Sequence, residues 1–310
     1  MRARAIVTSS LYRLLKNSNF IFLIAFLLGL FSGGFASLLK GYILPALVLI
    51  MSLSTTQITL TELTHAKKYL WDILLVFVIN YLFLSGLILL ANYLLIKDRD
   101  LYVGFVIMAA IPSAVAVLPF TYLLRGEMMV SLMGSASLYL LALVVAPLIS
   151  LQLLDVARIE PVKLVAVLIQ MILVPFLISR LLLKWKGFRH VRENTNLLVN
   201  LAFFLIIYTV IGMNRSVFLK HFDILIIVSL IAFLRTFVSG HIVDLFSRLA
   251  GTGRERRMSY VLFGSFKNLG LAAAIAIVLF NERAAIPAAV AIPFELLFFI
   301  WFNYFQKRWG

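Results

Sequence analysis

The apolar positions of this chain run in long unbroken blocks, not in the one-sided or alternating patterns of a soluble protein, and its polar and basic residues gather in the short stretches between them. At about 20 apolar residues per membrane crossing, the blocks predict ten transmembrane helices over 20–39, 41–56, 69–96, 101–124, 128–154, 161–184, 194–213, 219–248, 257–280 and 283–306. The second block is short and ends in Ser52, Ser54, Thr55 and Thr56, so a re-entrant or tilted helix is the alternative to a full crossing there. Two blocks are interrupted. The fourth carries Pro112 and Pro119, and the ninth carries Gly264, Lys267, Asn268 and Gly270. Ten crossings divide into five and five, and an odd number per half turns the second half upside down relative to the first. The expected fold class is therefore all-α integral membrane protein, with two inverted five-helix repeats over 20–154 and 161–306 and with helices 4 and 9 interrupted at matching places.

Composition agrees with the pattern. The chain is 63% hydrophobic and 13% charged, with a mean hydropathy of +1.05, values that 310 residues could not hide from water. The net charge of +15 would suggest nucleic acid in a soluble domain. Here the basic residues cluster between apolar blocks, where they orient the chain in a bilayer, so no nucleic-acid partner is expected and membrane lipid is. With the N-terminus inside, inner segments hold 18 Lys and Arg and outer segments 8, which places both termini in the cytoplasm. Residues 1–19, with Arg2, Arg4, Arg13 and Lys16, read as a cytoplasmic segment, because the apolar run after them is long enough to span and many further spans follow. The expected location is the cell (plasma) membrane. Cysteine is absent and His65, His190, His221 and His241 are scattered, so no metal centre or other cofactor is expected.

Interrupted helices at corresponding positions of two halves point to a transport site near the bilayer midplane. Pro112 and Pro119 each lack an amide hydrogen and clash with the preceding turn, so a helix holding both must kink or open. The carbonyls so freed need partners, which a protein-lined polar cavity can supply, and Ser113 is placed to bond one of them. Two ordinary kinks are the bland alternative. Lys267 is the most expensive residue. A basic side chain at mid-helix costs about 2.5–3.5 kcal/mol, whereas deprotonating an ordinary lysine at pH 7 costs about 4.6 kcal/mol, so on these figures it stays charged. The alternatives are a lysine snorkelling to the interface and a strongly desolvated lysine that carries protons.

On a continuous helix Phe263, Lys267 and Gly270 would share one side, with Gly264 and Asn268 on an adjacent stripe. Ser265 lies between them. Glycine and alanine at 270 and 272–274 suit plain helix packing. Arg235 and Glu295 are two further intramembrane charges, expected to pair with each other or, for Glu295, with Lys267. Asp72 and Asp244 fall near helix ends and are expected to be wet, as is Asp98-Arg99-Asp100 in its short loop. Asn80, Thr121, Ser131 and Ser135 are candidates to line a polar site.

The runs IPSAVAVLPFTYLLRGE (111–127) and FGSFKNLGLAAAIAIVLF (263–280) resemble the crossing helices of the bile acid:sodium symporter family, with weaker similarity over nearly the whole chain, including LIMSLSTTQITLTEL (49–63). The resemblance implies ten helices in two inverted repeats. It also implies a panel of helices 1, 2, 6 and 7 (20–56 and 161–213) against a core of the other six (69–154 and 219–306), with alternating access between them. Pro112, Gly126-Glu127 and Asn268 match the family pattern, but the sodium ligands do not. The family's Ser-Asn pair falls on Val117 and Leu118, its ninth-helix glutamate and glutamine on Phe263 and Lys267, its fifth-helix hydroxyls on Ser131 and Ser135, and its third-helix glutamine on Asn80. An ammonium at such a place repels sodium by several kcal/mol at intermediate dielectric. The expectation is a secondary active transporter of a small organic anion, sodium-independent, with Lys267 replacing the bound cation and, together with Arg235, attracting the substrate; a proton or no ion takes the place of sodium. A sodium-coupled symporter with a rearranged ion site and an anion channel are the alternatives. No HExxH, paired intramembrane aspartates or aspartate-rich prenyl-diphosphate motif supports an intramembrane enzyme.

Overall fold

A computed structural model of the chain describes residues 18–56, 66–154, 161–192 and 194–309. Among the described residues every regular element is a helix. Among these residues six helical runs are long and apolar enough to cross a membrane: Phe20–Thr55, Lys67–Leu95, Met128–Leu153, Thr195–Met213, Phe222–Leu249 and Arg283–Arg308. Their outward faces carry Phe31, Leu38, Leu82, Leu90, Tyr93, Leu148, Leu230 and Leu297, all exposed. Water would disfavour so much apolar surface and lipid does not.

The chain divides into two compact units, Met1–Gln57 with Leu173–Lys220 and Ile58–Ile172 with His221–Gly310. In the smaller unit the first two predicted spans form one helical run. It passes through 3₁₀ turns at Gly33–Phe35 and Lys40–Tyr42, so that both arms, Ser18–Ser32 and Ile43–Thr55, pack on Thr195–Met213. Close approach fixes the turn, because a Cβ on Gly33 would lie 2.6 Å from the Gly212 Cα. Arg180, lying over the Phe176 ring at 5.1 Å, donates to the Thr55 carbonyl at 2.6 Å and so satisfies the exposed end of the second arm.

The larger unit is built around aromatic side chains. Phe120 stacks on Phe299 at 4.0 Å and meets Phe266 edge-on at 5.4 Å, while Phe298 stacks on Phe302 at 5.3 Å. Around this core lie the two interrupted helices. The first is Arg99–Ala110, a nonhelical stretch and then Val117–Leu123; the second is Arg254–Phe263, a nonhelical stretch and then Leu269–Leu279. The first break has a local cause, for Ile111 before Pro112 is extended at φ −77° and ψ 158°, the region into which a following proline forces a residue. Pro119 is not a breaker. It occupies the third position of Val117–Leu123, within the first turn, where an amide has no helical partner to lose. The second break also overturns the expected stripes, because residues 264–268 follow no helical period and Lys267 and Gly270 belong to different segments.

Both ends of the interrupted helices are tied by charge, and three carboxylates expected to be wet are paired. Asp98 caps Arg99–Ala110 by accepting from the amides of Asp100 and Leu101 at 3.0 and 3.1 Å. It also accepts from Arg283 at 2.6 Å, a hydrogen bond that holds the Asp98 carboxyl below the usual carboxylate range. At the other ends Glu127 accepts from Arg256 at 2.9 Å, and buried Asp72 accepts from the Tyr260 hydroxyl. Buried Asp244 is held by Arg248 at 2.9 Å and Arg257 at 3.2 Å.

Candidate functional site at the crossing

The two breaks lie against each other. Asn268 donates its backbone N–H to the Pro112 carbonyl at 3.0 Å, so each nonhelical stretch supplies the other with a backbone partner. Interrupting a helix exposes carbonyls at the end of its first part and amides at the start of its second. In a membrane these groups must be satisfied inside the protein, and the side chains that do so define the site.

Two neighbouring helices supply most of them. Lys67–Leu95 contains a π-helical turn over Val78–Leu84, and Phe222–Leu249 one over Leu234–Val238. Such turns shift the side-chain register within an otherwise regular helix and are frequent at functional sites. A serine follows each. Ser85 donates to the Ala109 carbonyl at 2.7 Å and Ser239 to the Gly264 carbonyl at 2.7 Å, and both hydroxyls also lie against a carbonyl of their own π turn, Asn80 and Arg235 respectively. The same device thus serves both breaks, and the chain spells it twice, as Phe83-Leu84-Ser85-Gly86 and Phe237-Val238-Ser239-Gly240. Asn80 completes the first set by donating to the Phe263 carbonyl at 2.8 Å.

Lys267 does not snorkel. Its side chain is 0% exposed, and Nζ lies 3.0 Å from Asn80 Oδ1, 2.8 Å from Ser85 Oγ, 3.2 Å from the Ala109 carbonyl and 2.9 Å from the Ile111 carbonyl. The face of the Tyr81 ring lies 4.7 Å away, a cation–π arrangement. Two of the four oxygens belong to the carboxyl end of Arg99–Ala110, where the helix dipole is negative and favours a cation. An ammonium directs three hydrogens at these oxygens, whereas a neutral amine would turn its lone pair on one of them. These oxygens offer an acceptor to every N–H of the Lys267 side chain.

Glu295 pairs with Arg235, and the same oxygen, Oε1, accepts the Lys267 amide at 3.0 Å. Glu295 therefore meets Lys267 through its backbone and not through its ammonium. Asn268 caps Leu269–Leu279 by accepting from the Leu271 amide at 3.1 Å and donates to the Tyr139 hydroxyl at 3.0 Å, which in turn donates to the Ser113 carbonyl at 3.1 Å.

The remaining candidates divide. Thr121 and Ser131 bond each other at 2.7 Å, and Ser265 bonds its own helix at Val261, 2.8 Å away. The hydroxyls of Ser113 and Ser135 are buried without a hydrogen-bond partner, so Ser113 does not bond a freed carbonyl as the sequence suggested. Pro119 is exposed, away from the break. Gly264 is where Val243 packs, since a Cβ there would meet Val243 Cγ2 at 2.6 Å. Val117, Leu118 and Phe263 are buried in the apolar core and offer no side-chain oxygen. Sequence reasoning missed Tyr81, Ser85, Tyr139 and Ser239; the repeated Phe-Leu/Val-Ser-Gly was the available signal for the two serines. Among the described residues no three His, Asp or Glu side chains gather to hold a metal ion.

A family model described as the SBF-like CPA transporter family matches residues 46–300 of the chain. No curated protein matches it.

Proposed function

The chain belongs to the SBF-like CPA transporter family, and from that premise we propose that this multi-pass membrane protein is a secondary carrier of small organic anions. It works by alternating access without sodium, and Lys267 is its built-in cation. The observation that carries the reading is the cage of four oxygens and one aromatic face around the Lys267 ammonium. A mobile cation would require such a cage to be empty; here the side chain fills it permanently, so the charge a sodium ion would bring is covalently attached. The apolar packing of Val117, Leu118 and Phe263, where the family resemblance placed sodium ligands, supports the same conclusion.

In this reading two inverted five-helix repeats cross at the interrupted helices. The recurrence of the π turn, its following serine and the serine's bond to the break supports that symmetry. A panel of 20–56 and 161–213 works against a core of 69–154 and 219–306, and transport is uniport or proton-coupled. Both termini lie in the cytoplasm and the protein resides in the plasma membrane, in keeping with the basic bias of the inner loops.

The test is flux. Purified protein in liposomes loaded with a panel of radiolabelled organic acids should show saturable counterflow that is unchanged when sodium is replaced by choline on both sides. Channel-like flux without counterflow, or uptake that needs an inward sodium gradient, would contradict the proposal.

A further inference from the structure

The ammonium of Lys267 has no donor left for a substrate, so the anion must be held elsewhere. Arg235 is the other cation of the crossing, and it is incompletely paired. Its side chain is fully buried, its Nη2 donates to Glu295, and its Nε and Nη1 have no hydrogen-bond partner among the described residues. The neighbouring Thr236 hydroxyl is buried and unpartnered as well. A guanidinium carries five N–H groups in a rigid fork, and leaving them without acceptors in a low-dielectric interior is among the costlier arrangements a protein can keep. Glu295 engages only one N–H of the fork: its Oε1 accepts from Arg235 Nη2 and from the Lys267 amide, and neither of its oxygens bonds Nε or Nη1. Counting formal charges at the crossing, Lys267 and Arg235 against Glu295, leaves one basic side chain in excess among the described residues.

We propose that Nε and Nη1 of Arg235 form the subsite for the headgroup of a singly charged organic anion, a carboxylate by preference. Glu295 is the resident competitor that holds the guanidinium in place and moderates its charge. This assignment rests on the reading of the protein as an organic-anion carrier and gives that carrier its specificity: a monoanion neutralises the crossing, and a neutral analogue leaves the guanidinium unsatisfied. Glu295 retains 11% side-chain exposure while Arg235 has none, so the pair is approached from the carboxylate side. Lys267 acts on the anion only through space.

The test is equilibrium binding to the detergent-solubilised full-length protein, read as the shift in unfolding midpoint on titration with choline acetate and choline benzoate, with benzamide as the neutral isostere. Arg235→Gln alone strands a buried carboxylate and is liable to misfold, so the informative variants are Glu295→Gln and the double variant Arg235→Gln/Glu295→Gln, which removes both charges together. Wild type should bind a carboxylate saturably and ignore benzamide. Glu295→Gln, which keeps the guanidinium and removes its competitor, should bind more tightly. The double variant should bind about tenfold to a hundredfold more weakly than wild type, the worth of a charge-assisted hydrogen bond. Three results would overturn the assignment: equal affinity of wild type and double variant, weaker binding by Glu295→Gln, or no saturable binding of either carboxylate by wild type. Sodium-free counterflow that persists beside any of these would leave the carrier reading standing and remove only Arg235 from it.

Discussion

Lys267 holds two oxygens that have no other donor among the described residues, Asn80 Oδ1 and the Ile111 carbonyl. Lys267→Met therefore strands two buried acceptors, at about 1–3 kcal/mol each, and should destabilise the protein by about 2–6 kcal/mol in a denaturant titration. Lys267→Gln, which returns an amide donor, should lose less. The Arg235–Glu295 pair should show the non-additivity of a buried ion pair. Arg235→Gln costs about 3–5 kcal/mol, and adding Glu295→Gln should recover part of that loss, so that a double-mutant cycle gives a favourable coupling. At this scale the sequence was informative where a residue is costly. Lys267, Arg235 and Glu295 stood out because charge inside an apolar block needs a reason. Ser85, Ser239 and Tyr139 did not, because a lone hydroxyl in a membrane helix usually bonds its own backbone, and only the fold shows that two of these serines also reach across to a neighbouring break.

Among elements, the interrupted helices were legible and their faces were not. Pro112 stops a helix by excluding an amide and restricting Ile111, an effect of local chemistry that sequence exposes. Pro119 has the same chemistry but sits in a first turn, and only the position of the break, at residues 111–116, decides that. Facing arguments through Lys267 failed because helical periodicity cannot be carried across nonhelical residues. The Asp98 end titrates. Asp98 caps Arg99–Ala110, and Arg283 lowers its carboxyl below the ordinary value of about 3.9. Its contribution is therefore complete above about pH 4 and is lost as pH falls through the folded-state value. Asp98→Asn should remove that acid-dependent part of the unfolding midpoint, the part lost below about pH 4, and Asp98→Ala should cost about 1 kcal/mol through the lost cap. An acid limb unchanged in Asp98→Asn would show that the Arg283 pairing does not matter to stability.

For the whole molecule, hydropathy and loop charge were enough to predict a membrane protein made of helices, because a bilayer imposes the length and polarity of each crossing. They did not reveal how the first two blocks join, since a helical run turning through 3₁₀ geometry at Gly33–Phe35 and Lys40–Tyr42 has the composition of two separate spans. Nor did they reveal the cage at the crossing, which draws on residues from 80 to 267. That cage links the fold to its proposed mechanism: a carrier whose built-in cation is a side chain has no sodium to bind. The most direct measurement is equilibrium binding of radiolabelled sodium to the purified protein, wild type beside Lys267→Gln. Wild type should show no saturable sodium binding, and its unfolding midpoint should be the same in sodium and choline salts. Saturable sodium binding by wild type that disappears in Lys267→Gln would contradict the assignment of Lys267 as the resident cation.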